Sequence, residues 1–195
     1  MAGHRERMVA SAALLIRERG ARPTAIADVL AHSGAPRGSA YHYFPGGRSQ
    51  LLCEAVDYAA DYVADAIGRA GSAAEMLDTA VGFYRAGLLD SDYRAGCPVL
   101  AVAVEAGDPD AGPEPVARAA AAFQRWRDLI TATLVDDGLG PGAAADLATL
   151  VIAALEGALA QARAARDVGP IDAVHRQLRP LLTAAASSKP EETAP

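Results

Sequence analysis

Residues 24–51, TAIADVLAHSGAPRGSAYHYFPGGRSQL, restrict the possible folds of this chain more than any other segment. Short apolar-periodic stretches flank Gly34, and Pro45-Gly46-Gly47 stops the second before a third begins. That punctuation predicts a short helix, a glycine turn, a second short helix and the start of a third. The second helix is expected to open with Arg37 and Ser39 and to close on Tyr41, His42, Tyr43 and Phe44. Basic, hydroxyl and aromatic groups on one short helix after a tight turn are what a major-groove reading head needs. The segment therefore points to a DNA-binding regulator rather than an enzyme.

Helical spacing continues on both sides. A first helix is expected over about residues 4–19, with Val9, Ala12, Ala13 and Ile16 on one stripe, Met8 and Leu15 beside it, and Gly20 closing it. Thr24 is the expected N-cap of the second helix, with Ala27 in the capping-box slot and Asp28 one place too far. Ile26, Val29 and Leu30 supply that helix's apolar face, and Pro36 can start the next. A long amphipathic helix follows to about residue 69, its core side on Leu52, Ala55, Val56, Ala59, Val63 and Ile67. Further helices are expected over residues 73–89, 116–135, 143–166 and 171–185. The apolar run PVLAVAVEA at 98–106 fits a buried strand or helix by length, and its helical surroundings favour helix. GDPDAGPEP at 107–115 reads as a linker, and the tail at 187–195, without apolar anchors, as disordered.

The expected fold is all-α, with about nine helices. Residues 1–50 form a three-helix helix-turn-helix DNA-binding head, residues 51–187 a six-helix ligand-binding and dimerisation domain, and 188–195 a disordered tail. Charge follows the same division: the net formal charge of -6 resolves into +4 over residues 1–50 and -10 over 51–195. A basic head on an acidic body suits a protein whose head meets phosphates while its body is kept off them. No apolar run approaches the roughly 20 residues of a membrane span, and no secretory signal opens the chain, so a cytoplasmic protein is expected. Cys53 and Cys97 show no disulfide or metal spacing and read as reduced core thiols.

Each head residue has a physical role available. Arg37 can bond guanine at O6 and N7 together, or hold a phosphate without reading sequence. Gly38 allows close backbone approach, Ser39 can bond a base or a phosphate, and Tyr41, four residues after Arg37, is expected on the same face. Thr24 and Arg48 fall at helix N-termini, where N–H groups and the helix dipole favour a phosphate.

These elements resemble the head of TetR-type transcriptional repressors: Thr24, Gly34, the Tyr41–Tyr43–Phe44 aromatic end and a basic residue, Arg48, opening the fourth helix. GAPRGSAYHYFPGG and CPVLAVAVEA are similar to the LmrA/YxaF-like branch. Ala25 stands where a second hydroxyl is common, and Arg48 where lysine is, which keeps the charge but replaces a point ammonium with a planar fork. The resemblance implies DNA contacts from Thr24, Pro36, Arg37, Gly38, Ser39, Tyr41, His42, Tyr43 and Arg48, with His42 also readable as a solvated surface residue. It further implies a homodimer on palindromic operator DNA, released by a small-molecule effector. Leu147, Leu150, Val151, Ala154, Leu155 and Ala158, with Leu178, Leu181 and Leu182, are the expected dimer surface, part of which faces the monomer's own core. Tyr58, Tyr62, Met76, Phe83, Tyr84, Cys97, Phe123 and Trp126 are the candidate effector-pocket groups, with ordinary core packing as the competing reading for each.

Rival classes find little support. There is no G-x-S-x-G, H-E-x-x-H or Walker loop; Gly138-x-Gly140 follows no strand; Asp136-Asp137 reads as a solvated turn. His4, His32, His42 and His175 are isolated, so neither a metal nor a cofactor is expected. A cysteine-based redox switch would need a lowered thiol pKa, and nothing basic neighbours Cys53 or Cys97 in sequence.

Overall fold

The computed structural model describes residues 3–105 and 112–186. Nine helices form among these residues: α1 His4–Arg19, α2 Ile26–Ser33, α3 Ser39–Tyr43, α4 Gly47–Arg69, α5 Ala73–Asp90, α6 Pro98–Val104, α7 Glu114–Asp136, α8 Pro141–Ala165 and α9 Gly169–Ala186. The all-helical expectation holds, and the apolar run at 98–106 is a helix opened by Pro98 at its first position. Most of the 107–115 linker and the whole 187–195 tail lie outside the described residues.

The helices sort into two compact units: Met1–Tyr62 with Arg94–Phe123, and Val63–Tyr93 with Gln124–Pro195. Helices α4 and α7 each change units part-way along, so the packing divides inside α4 at residues 62 and 63 rather than at its start.

In the first unit α1 packs on α2 and α6. Met8, Ile16, Val29, Phe44, Leu52, Val56 and Val99 are its fully buried large side chains. Each removes apolar surface from water, worth roughly 1.5–3 kcal/mol per large side chain. Val29 alone of the expected α2 trio is fully buried; Ile26 and Leu30 are half-buried. Along α4 the buried stripe is Leu51, Leu52, Ala55, Val56, Ala60, Ala64 and Ile67, so Ala60 and Ala64 take the places expected for Ala59 and Val63. In the second unit α9 packs on α5 and α8, around Leu77, Leu88, Leu134, Ile171 and Leu182.

Helix ends explain the boundaries. Gly34, in the left-handed region at φ 65°, closes α2 with its N–H on the Leu30 carbonyl. Ser72 caps α5 by accepting from the Glu75 N–H at 3.2 Å. Asp137 is not the solvated turn residue expected of it, since its carboxylate accepts from the Ala73 N–H at 2.9 Å. There it offsets the positive end of the α5 dipole.

Helix α8 is, by length and composition, apolar enough to cross a bilayer, the single such helix among the described residues. Charged residues interrupt its apolar run, which is why no long run stands out in the sequence. Within the protein 39% of its most apolar window is buried.

Candidate nucleic-acid interface

The turn between α1 and α2 is held from both polarities. Glu105, just past the end of α6, accepts from the N–H groups of Ala21, at 3.1 Å, and Arg22. Arg48, in the first turn of α4, donates from Nε to the Thr24 carbonyl at 3.1 Å. Its Nη2 donates to the carbonyls of Ala21 and Arg22 at 2.7 and 3.1 Å. A carboxylate thus gathers the turn's donors and a guanidinium its acceptors, and both ionic partners strengthen the bonds. Gly20 completes the fit: at φ 95° it adopts a conformation side chains avoid, and a Cβ there would stand 2.3 Å from Glu105 Oε1.

Two sequence expectations change here. Thr24 does not cap α2; it is 2% exposed and its hydroxyl donates to the Gly20 carbonyl at 2.7 Å. Ala25 is the N-cap residue, and Asp28, now at the third helical position, accepts from the Ala25 N–H at 3.1 Å. Asp28 was set aside as one place too far only because the helix was expected to start one residue early. The guanidinium of Arg48 is likewise committed to backbone carbonyls, a use that charge counting could not reveal.

The reading segment itself faces outward. Pro36, Arg37 and Gly38 are exposed and precede α3, which begins at Ser39. Arg37 therefore lies in a turn, closed by the Ser39 N–H on the Pro36 carbonyl at 2.9 Å. Arg37 thus precedes the helix that carries Tyr41 and is not one turn before it on a shared helical face, and Pro36 does not start that helix. The Ser39 hydroxyl donates to the same carbonyl at 2.6 Å. Ala40 and Phe44, four residues apart, are 2% and 1% exposed and anchor the inner face. Tyr41, between them, is 83% exposed. His42 is exposed and meets the half-buried Tyr43 edge-on, with ring centroids 5.1 Å apart.

The head's cations divide into committed and available ones. Arg5 pairs with Glu54 at 2.8 Å and lies over the Phe44 ring, and Arg19 pairs with Asp28 at 3.1 Å. Among the described residues Arg22 and Arg37 have no ion pair. Arg22, on the clamped turn, is a candidate phosphate contact that motif reasoning passed over, as was Glu105, read only as the end of an apolar run.

In the second unit a cavity of about 60 Å³ is lined from α4, α5, α7 and α8. Of the proposed pocket residues it brings together Met76, Tyr84 and Trp126; Tyr58, Tyr62, Phe83, Cys97 and Phe123 are not in its lining. Tyr58 and Tyr62 are about half exposed, and Cys97 is instead the N-cap of α6, its sulfur accepting from the Leu100 N–H. Trp126 is buried. The sequence reading missed Glu156, which joins Leu155 in the cavity wall at 7% exposure.

Of the expected dimer stripe, Val151, Leu155, Ala158, Leu178 and Leu182 are buried within the monomer, while Leu147 and Ala154 are half-buried. Leu150 and Leu181 are 50% and 51% exposed on the two mutually packed helices α8 and α9. His175 is isolated in sequence only: its Nε2 lies 2.6 Å from Asp78 Oδ1, and Arg179 Nε donates to both Asp78 oxygens at 2.9 and 3.1 Å. Arg179 and then His175 hold the Asp78 carboxyl below the usual carboxylate range. Among the described residues no group of three His, Cys, Asp or Glu side chains is arranged to hold a metal ion.

The family described as transcriptional regulator LmrA/YxaF-like, C-terminal domain, matches residues 73–177. An HTH-type transcriptional regulator of Mycobacterium tuberculosis is 59% identical over 187 residues, covering 94% of this chain and 96% of that protein. The HTH-type transcriptional regulator LmrA of Bacillus subtilis is 28% identical over 172 residues, covering 86% and 90%. Among solved structures, a TetR transcriptional regulator from Legionella pneumophila shares the fold with a TM-score of 0.78 at 20% identity, covering 93% of this chain and 98% of that one. The regulatory protein TetR from Rhodobacter sphaeroides does so at 0.77 and 19%, covering 91% and 98%. The chain belongs to the TetR family of HTH-type transcriptional regulators, within its LmrA/YxaF-like branch.

Proposed function

We propose that this regulator is a repressor that binds a palindromic operator as a homodimer and leaves it when a small molecule occupies the second unit. The observation that carries the DNA reading is the outward segment from Pro36 to Tyr43, anchored underneath by Ala40 and Phe44 on a net basic head. Arg37 is assigned to base readout, and Ser39, Tyr41, His42, Tyr43 and Arg22 to the surrounding phosphates and bases. Thr24 and Arg48 support the reading head from within, since their polar groups serve the α1–α2 turn.

One head makes few phosphate contacts, and binding of that kind weakens steeply with salt. Two heads on one duplex solve this, with half-sites about 34–36 Å apart or a multiple of that. The exposed Leu150 and Leu181 on neighbouring helices support α8 and α9 as the dimer surface. Residues 1–50 then carry DNA recognition, and 51–187 effector binding and dimerisation. The effector acts by linkage, shifting the population toward a non-binding arrangement by its differential affinity.

A cysteine-based switch is less well supported. Burial pushes the Cys53 thiol above its ordinary pKa despite the opposing charge of Arg118, so the reactive thiolate is disfavoured. Operator affinity is expected to be unchanged by mild oxidant.

Selection of bound fragments from a random DNA pool tests the proposal. Enrichment of an inverted repeat with the stated spacing is expected. Recovery of unrelated sequences with no symmetry contradicts it.

A further inference from the structure

We propose that the cavity of the second unit takes a small uncharged hydrocarbon, a single-ring aromatic or compact alicyclic molecule without hydrogen-bonding arms. The inference rests on the effector-pocket reading above and adds the ligand's chemical class to it. Ile67, Ile130, Val151 and Leu155 contribute branched aliphatic groups to the wall, Met76 a thioether and Trp126 ring surface. Tyr84, Trp126 and Glu156, the wall's residues with polar atoms, each interact with other groups of the protein. The surface that faces the cavity is almost wholly carbon.

A carbon wall returns no hydrogen bonds, so each polar group on a ligand gives up its hydration without replacement. A hydroxyl left unpaired in a protein interior weakens binding about 5- to 150-fold, and a charge of either sign weakens it further. Each methyl or methylene that reaches the wall instead strengthens binding roughly 4-fold. The resulting order is hydrocarbon, then alcohol, then ions. Room sets the size: about 60 Å³ is under half of the roughly 150 Å³ apolar cavity that accepts benzene, so a ring enters only as the wall yields. Met76 is suited to yield, because its unbranched thioether chain repacks readily. Val63, Ala80, Tyr84 and Ile152 are half-buried and form the more open edge of the cavity. Larger, multi-ring molecules demand more displacement of α4, α5, α7 and α8, which favours a single ring.

The test uses the full chain with four probes of similar size: toluene, benzyl alcohol, benzylammonium and benzoate. Trp126 is the sole tryptophan and stands in the wall, so its emission reports occupancy, and the melting temperature gives a second readout. Toluene is expected to bind at least ~10-fold tighter than benzyl alcohol, with both ions weaker still. Ala80→Leu adds three carbons at the open edge and is expected to cut toluene affinity at least ~10-fold, which adsorption elsewhere on the surface would not show. If Ala80→Leu fails to fold, the wild-type order decides by itself. Benzyl alcohol or either ion binding as tightly as toluene overturns the assignment of class. No change of emission or melting temperature with any probe overturns the cavity as a ligand site. Release of the selected operator is measured with the same probes: toluene that binds in the stated order without releasing DNA supports the class and overturns the effector-pocket reading alone.

Discussion

At the scale of single residues, the account separates side chains that read DNA from those that hold the reader. Arg37 belongs to the first group: exposed, in a turn, and without an ion pair among the described residues. Arg37→Ala is expected to cost roughly 1–3 kcal/mol on the selected operator and to relax preference at one base position. Equal losses on operator and random DNA, measured by fluorescence anisotropy, would reassign it to a phosphate. Phe44 belongs to the second group. Phe44→Ala removes a fully buried ring and is expected to destabilise the fold by about 3–5 kcal/mol, read as a fall in thermal midpoint. Glu105→Gln takes the charged acceptor from both turn N–H groups, leaving one of them a neutral amide oxygen and the other facing an NH2 donor. Its expected stability cost is about 1 kcal/mol given the site's partial exposure, with weaker operator binding at unchanged dimer mass.

Helices were the most legible scale, because period and punctuation are local properties. The 3.6-residue spacing of Val9, Ala12, Ala13 and Ile16, closed by Gly20, reproduces α1 to the residue. What stayed hidden depends on partners distant in sequence. Thr24 looks like a cap in any local reading, yet its hydroxyl is drawn to the Gly20 carbonyl, and Arg48 and Glu105 fix the backbone around it. The same holds for Asp78, His175 and Arg179, which tie α5 to α9 across about a hundred residues of chain. Because the folded Asp78 pKa is depressed, its contribution is complete above the ordinary carboxylate range and is lost as pH falls through the lower folded value. Asp78→Asn should therefore lower the melting temperature at neutral pH, and its difference from wild type should shrink on acidification. A difference that grows in acid would contradict the assignment.

For the whole molecule, the charge division was readable from where Arg, Asp and Glu fall along the chain and the helix count from apolar periodicity, whereas the site lining was not. Glu156 is one acid in an apolar stretch, and only packing places it beside Trp126 and Tyr84. Exposure likewise decides which side chains of the stripe remain for a partner: Val151 and Leu155 are used inside the monomer, and Leu150 and Leu181 are left outside. Leu150→Glu with Leu181→Glu is expected to yield monomers by light scattering that still fold, because neither side chain is part of the buried core. Operator affinity should then fall by orders of magnitude as the second head is lost. The most direct measurement is native mass spectrometry of the protein on its selected duplex and on the same duplex with one half-site scrambled. The account predicts two chains, or a multiple of two, on the intact site and a large loss of occupancy on the scrambled one. A single chain bound equally well to both duplexes would contradict it.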